Sequence, residues 1–223
     1  MRTTLISREE IEAGAVQHMV ANADPDLVPL TDEERKRSLD AVLAEHAPGA
    51  DLWVFGYGSL LWNPAIAVAD ARRARVHGFH RRLCLITRVA RGTPERPGLL
   101  LGLDRGGSCD GMALRVPADR VVEELGILWR REMVDDAYRP RWVQVRSAEG
   151  PLRGIAFVMN RGHRRYAPPM SLRETASIVV GAAGQLGTCR DYLRRTVEQL
   201  ARLGIRDRQL FHVAKLVQGM EAA

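Results

Sequence analysis

The sequence predicts an α+β fold in which a mostly antiparallel sheet or barrel is built first and most of the helices follow it. Three observations carry this expectation. Short apolar runs punctuated by turn residues fill positions 52–116, helix-capping patterns stand on both sides of that region, and the composition changes at Ala47-Pro48-Gly49-Ala50. A chain of 223 residues buries one good core and is short for two. Taken in order, Ser7 with Glu10 and Thr31 with Glu34 each read as a capping box, in which an N-cap hydroxyl and a carboxylate three residues on satisfy each other's free amides; Asp24-Pro25-Asp26 breaks the chain between them. Residues 1–50 are therefore expected to form an acidic helical extension and residues 51–218 the main domain. Runs at 52–57, 74–79, 83–87, 99–103 and 111–116 predict five strands. Pro117-Ala118-Asp119 opens a helix expected to run through Met133, and two further strands are expected at 142–145 and 154–159. Ser171 with Glu174 and Thr188 with Asp191 cap two closing helices, the second ended by Gly204. The order is not a repeating βαβ one, which argues against a dinucleotide-binding fold.

Charge is distributed unevenly. Residues 1–50 carry a net charge of −5 and the remainder +11, so the overall +6 hides an acidic segment in front of a basic domain. A basic face attracts nucleic acid, anionic membrane or a small acidic substrate, and net charge does not choose among them. The basicity is almost all arginine, with Lys36 and Lys215 the only lysines, a bias that genome composition alone also produces. Cys84, Cys109 and Cys189 are odd in number and widely spaced, which indicates neither a disulfide framework nor a zinc site and points to buried thiols in a reducing compartment. The N-terminus lacks the apolar stretch of a signal peptide and no run approaches a membrane span, so a cytoplasmic location is expected.

Two places stand out chemically. Gly56-Tyr57-Gly58-Ser59-Leu60-Leu61 follows the first strand, and its two glycines let the backbone turn sharply with amides unshielded by side chains, as holding a carboxylate or an oxyanion requires; an ordinary tight turn has the same appearance. The Gly-Lys-Ser/Thr ending of a phosphate loop is missing. Glu132 is the second. Leu125, Leu128, Trp129 and Glu132 occupy i, i+3, i+4 and i+7, so a carboxylate continues an apolar stripe. Such a group either pairs with an arginine, frays to solvent at the helix end, or is desolvated and raised toward the range useful to a general acid/base. Arg91-Gly92-Thr93-Pro94-Glu95 reads as a rigid, charged loop, either an ordinary exposed turn or one whose arginine binds a substrate carboxylate, and Tyr138 and Tyr166 lie near proline-containing loops where a phenol donates a hydrogen bond or packs. The histidines lack metal-ligand spacing, and no nucleophile elbow or Cys/His pair is visible.

Val54-Phe55-Gly56-Tyr57-Gly58-Ser59-Leu60-Leu61-Trp62-Asn63-Pro64 closely resembles the ChaC family of glutathione-specific γ-glutamylcyclotransferases. The likeness continues through Gly78-Phe79-His80-Arg81-Arg82, Arg91-Gly92-Thr93-Pro94, Pro97-Gly98, Leu128-Trp129-Arg130-Arg131-Glu132-Met133, Tyr138 and Gly184-Gln185-Leu186-Gly187-Thr188, and the acidic N-terminal helices are similar to the extension of bacterial members. The resemblance implies a small mixed β-barrel with flanking helices, a glutathione-degrading enzyme that releases 5-oxoproline and Cys-Gly, Glu132 as general acid/base, and no metal or cofactor. It also implies that Gly56, Tyr57, Gly58, Ser59, Leu60 and Leu61 hold the γ-glutamyl group, with Arg91, Tyr138 and Tyr166 as further substrate contacts. The expected partner is glutathione, with no nucleic acid and no membrane, and a monomer is expected. Where many eukaryotic members have Arg-Glu-Lys-Gly-Gly-Tyr, the chain has a longer segment from Met133 to Tyr138, and where the family has Tyr-Leu-Gly-Pro it has Tyr166-Ala167-Pro168-Pro169. Two other readings stay open: a cyclotransferase for other γ-glutamyl amines or amino acids, since the signature grips the glutamyl half, and a non-catalytic basic binding or transport-regulatory module, against which the lack of an aromatic RNA-binding motif counts.

Overall fold

Alternating apolar residues and well-placed glycines close five strands into a barrel, in a computed structural model that describes residues 5–23 and 27–221. Strand β1 (Leu52–Gly56) is followed by two long strands, β2 (Asp70–Thr87) and β3 (Gly98–Val116), and later by the hairpin β4 (Tyr138–Ser147) and β5 (Gly150–Met159). The barrel order is β1-β3-β2-β4-β5; β1 pairs antiparallel with β3 and parallel with β5, which makes the sheet mixed and closes it. Closure removes the exposed strand edges that an open sheet would present.

The five expected early strands are three. The breaks expected at 80–82 and 104–110 lie inside β2 and β3; Gly78, Gly106 and Gly107 have positive φ, and the register shifts between His77 and Phe79 and again between Leu83 and Leu85. A glycine at a bulge lets a strand bend without ending, which is how two strands of 18 and 19 residues follow the curvature of a small barrel. The expected strands at 142–145 and 154–159 are likewise the centres of longer ones.

The helices start where the capping patterns place them. Ser7 and Thr31 form full capping boxes at α1 (Arg8–Glu12) and α3 (Asp32–Leu43), with α2 (Ala15–Ala23) between them; the Asp24-Pro25-Asp26 break lies outside the described residues. After a 3-10 turn at Ala118–Arg120, α4 (Val121–Glu132) packs Leu125, Leu128 and Trp129 against the barrel, the Trp129 ring meeting Phe157 edge-on at 5.2 Å. Ser171 caps α5 (Leu172–Gly181), and the two-residue strands β6 (Ala183–Gly184) and β7 (Gly187–Thr188) lead to α6 (Cys189–Arg202), capped by Thr188. A further helix not separated in the sequence, α7 (Arg208–Glu221), starts where Asp207 accepts from the Leu210 amide, and it buries Leu210, Val213 and Val217 at helical spacing. Two apolar clusters result: one is shared by the barrel with α5–α7, the other by the barrel with α4 and the N-terminal helices. All three cysteines are buried and unpaired, and burial pushes the Cys84 thiol up to about 12 and those of Cys109 and Cys189 to about 11. Among the described residues no helix is long and apolar enough to cross a membrane.

Candidate active site

At the end of β1 the glycine pair turns the chain, and Ser59–Leu61 form one 3-10 turn. The turn is held from three sides. The Tyr57 hydroxyl donates to the Phe157 carbonyl at 2.7 Å, and the Tyr57 carbonyl accepts from Arg81 Nε at 2.5 Å, a buried guanidinium that also pairs with Asp207 at 2.8 Å. Arg131 Nη2 donates to the Ser59 hydroxyl at 2.9 Å, while its Nη1 donates to the Asn63 carbonyl. The amides of Leu61, Trp62 and Asn63 donate to Gly58 and Ser59 carbonyls, whereas those of Gly58, Ser59 and Leu60 meet no acceptor among the described residues. The leading amides of a helical turn have no partner within it, so they are available to an anion.

Glu132 closes α4 on the same stripe as Leu125, Leu128 and Trp129. Its side chain retains 14% exposure, and Oε1 is buried without a hydrogen-bond partner although Arg131 Nε lies 3.1 Å away, because that N–H is not aligned with it. Burial raises the carboxyl above its ordinary value and the Arg131 charge opposes the rise. Two of the three alternatives left open by the helix pattern thus apply together, and fraying does not: the carboxylate is beside an arginine and is desolvated.

Glu132 faces a pocket of about 180 Å³ that is also lined by Tyr57, Gly58, Ser59, Leu60, Arg91, Tyr138 and Tyr192. Tyr138 begins β4 and donates to the Leu101 carbonyl at 2.6 Å; the Tyr192 hydroxyl, on α6, accepts from the Leu101 amide at 3.2 Å. Burial pushes all three phenols well up, so each stays neutral; the Tyr57 and Tyr138 hydroxyls already donate their one proton to backbone carbonyls and can still accept, while the Tyr192 hydroxyl accepts here and keeps its proton to donate. Among the described residues no group of His, Cys, Asp and Glu side chains is clustered to hold a metal ion.

Arg91 sits in the 88–97 connection between β2 and β3. It is 4% exposed, and its Nη1 makes one long hydrogen bond of 3.4 Å to the Thr188 carbonyl. Desolvation lowers its pKa, which marks a cation with less compensation than its burial calls for. The loop that carries it is packed backbone on backbone. A Cβ at Gly92 would stand 2.2 Å from the Gly98 nitrogen and 2.4 Å from the Thr87 carbonyl oxygen, and one at Gly184 would stand 2.3 Å from the Val89 oxygen. Gln185 and Leu186 amides donate to the Val89 and Ala90 carbonyls across this contact. Neither backbone can yield as a flexible side chain would, so Gly92→Ala is expected to cost about 3 kcal/mol of stability in a denaturant titration and to displace Arg91.

The structure does not bring every expected contact to the pocket. Tyr166 lies outside its lining: the hydroxyl donates to Asp104 at 3.0 Å, in a cluster where Arg82 and Arg161 also grip Asp104 and the Arg82 guanidinium lies over the phenol ring. Gly56 ends β1 beneath the turn and Leu61 packs into the core, so of the six-residue signature Tyr57, Gly58, Ser59 and Leu60 reach the pocket. Sequence reasoning missed Tyr192 and Arg131. Tyr192 falls on the buried stripe of α6 with Cys189, Leu193, Thr196 and Leu200, a pattern that reads as core. Arg131 carried one signal, its place next to a carboxylate on an apolar stripe.

A family model described as ChaC-like protein matches residues 52–220. The chain is 37% identical over 176 residues to the glutathione-specific γ-glutamylcyclotransferase of Escherichia coli K12, covering 78% of this chain and 76% of that protein. It is 32% identical over 152 residues to the glutathione-specific γ-glutamylcyclotransferase 1 of Mus musculus, covering 66% and 68%. Among solved structures, the γ-glutamyl cyclotransferase specific to glutathione from yeast superposes with a TM-score of 0.71 at 21% identity, covering 76% of this chain and 96% of that one, a likeness of fold.

Proposed function

The chain belongs to the ChaC-like family, and on that premise we propose that it degrades glutathione by cyclising the γ-glutamyl group to 5-oxoproline and releasing Cys-Gly, with Glu132 as the general acid/base. The observation that carries this reading is a desolvated carboxylate, with one oxygen lacking any hydrogen-bond partner, facing the same pocket as the unpaired amides of Gly58, Ser59 and Leu60.

In the reaction the α-amino nitrogen of the γ-glutamyl unit attacks its own γ-carbonyl carbon. The new C–N bond closes a five-membered lactam, the carbonyl electrons move onto oxygen, and when they return the bond to the cysteinyl nitrogen breaks. Nucleophile and electrophile share one short chain, so a pocket that folds the substrate into the attacking conformer replaces a bimolecular encounter, an advantage of up to roughly 7–11 kcal/mol. Glu132 takes the proton from the attacking nitrogen and returns it to the departing one, so that one carboxylate serves both steps. The free amides of the turn hold the α-carboxylate or the oxyanion; losing one oxyanion donor typically costs about 2.7–4 kcal/mol of barrier. Arg91 is assigned to a substrate carboxylate and Tyr138 to a hydrogen bond. The chemistry requires no protein nucleophile and no Lewis acid, and we propose that the enzyme works without a metal. Its three buried, unpaired thiols support a cytoplasmic location.

The test is an incubation with reduced glutathione, oxidised glutathione and γ-glutamyl-alanine, each followed for 5-oxoproline and the released amine. Equimolar 5-oxoproline and Cys-Gly from reduced glutathione is the expected result. Release of glutamate in place of 5-oxoproline would show hydrolysis by water and overturn the cyclisation.

A further inference from the structure

The family match begins at residue 52, yet the pocket that contains Glu132 is not completed by the barrel alone. Leu5, Ile6, Val16, Met19, Val20 and Leu27 form one of its walls. We propose that the described parts of the N-terminal segment, residues 5–21 and 27–30, are the leaving-group wall of the active site and make the enzyme select γ-glutamyl substrates whose leaving amine bears a compact apolar or thiol side chain. The proposal rests on the cyclotransferase reading and adds the part of substrate choice that the shared signature does not cover.

The wall is fixed to the catalytic elements and is not a loosely apposed tail. Gln17 Nε2 donates to the Arg130 carbonyl at 2.7 Å, two residues before Glu132, and the Leu30 amide donates to the Val134 carbonyl at 2.8 Å, two residues after it. On the other side of the pocket, Asn63 Nδ2 donates to the Ile6 carbonyl at 3.1 Å, and the Asn63 carbonyl is the group Arg131 holds. Arg8 pairs with Glu124 at 2.6 Å and Glu123 at 2.5 Å on α4. Glu124 is wholly buried; burial by itself would raise its carboxyl, but hydrogen bonds from Arg8 and the Ala67 amide more than offset this and hold it below the ordinary range. Ile11 is fully buried in the cluster that contains Leu60, Leu125 and Leu128. The segment therefore spans the pocket from the glycine turn to the end of α4.

Which half of a γ-glutamyl substrate meets this wall follows from its chemistry. The glutamyl half carries an ammonium and a carboxylate, which need polar partners, and the pocket's polar groups outside the N-terminal segment include Glu132 on α4, Arg91 in the β2–β3 connection, the free amides after β1, and the phenols of Tyr57, Tyr138 and, on α6, Tyr192. Six aliphatic or thioether side chains provide no donor and only a weak sulfur acceptor. They suit the side chain on the leaving amine, where a cysteine thiol behaves as a small hydrophobe, while a hydroxyl in its place would lose its water and gain no partner.

The test uses the full chain and compares kcat/KM for glutathione with that for γ-glutamyl-seryl-glycine, in wild type, Val20→Thr and Met19→Gln. Val20→Thr is close to isosteric, and Met19 is only partly buried. The ratio of the two values does not depend on how much of a preparation is folded. The expected result is a wild-type preference for glutathione of at least about tenfold, falling severalfold in both variants. A wild-type ratio near one, or variants that lose both substrates in equal proportion, would show a purely structural segment and overturn the proposal. A wild type that releases 5-oxoproline from neither substrate would bring down the cyclotransferase reading itself, and this inference with it.

Discussion

Glu132→Gln is expected to lower turnover of glutathione by about 10²–10⁴-fold while leaving KM within a few-fold of wild type, because the amide keeps the shape of the pocket and can neither accept nor return the transferred proton. The acid side of the wild-type pH profile reads the same group. Burial holds the Glu132 carboxyl above its ordinary value against the opposing Arg131 charge, and the proposed base acts as the carboxylate. The kcat/KM should therefore fall as pH drops through that raised value, at a higher pH than an exposed glutamate, near 4.3, would give. Stability moves the opposite way. A carboxyl whose folded pKa is raised contributes stability that is full below its unfolded value and is lost as pH rises through the folded one. Glu132→Gln should thus melt above wild type at neutral pH, with the gap closing in acid. Near wild-type turnover would sink the acid/base assignment, and a neutral-pH melting point below wild type would contradict the desolvation argument.

Arg91→Met should raise KM for glutathione by roughly 100-fold without costing stability, since truncating one partner of a buried charged contact typically costs 2–5 kcal/mol of binding. Arg91 is a cation in a dry position whose hydrogen bond is a long one to Thr188, and burial has already lowered its pKa. An arginine so placed is costly to the free protein and useful to a bound carboxylate. Methionine fills comparable space without the charge. Steady-state kinetics and a thermal melt decide the matter together: an unchanged KM removes Arg91 from the binding set, and a large loss of melting temperature would make it a structural residue of the loop.

Much of the fold is legible because its signals are local. Ser7, Thr31, Ser171 and Thr188 cap helices at the positions their spacing indicates, and the stripe of Leu125, Leu128 and Trp129 buries as expected and carries Glu132 with it. The long strands are not legible in this way. Gly78 and Gly106-Gly107 have the composition of turns and the geometry of bulges, and only a curved partner strand distinguishes the two. Tyr166 and Tyr138 look alike as phenols near prolines, yet one is held by Asp104 outside the pocket and the other lines it.

The sequence by itself determined where helices begin, that a carboxylate rides an apolar helix face, and that a glycine-bracketed turn follows the first strand, since each depends on residues within about one turn of one another. Only the tertiary structure decided what that carboxylate faces. Arg131 reaches Ser59 across 72 positions of sequence, Tyr138 and Tyr192 hold the carbonyl and the amide of Leu101, and the acidic N-terminal segment, which composition set apart as an appendage, forms a wall of the pocket. Barrel closure makes these contacts, and closure depends on pairing between distant strands and on where bulges bend them, which no short window of sequence encodes.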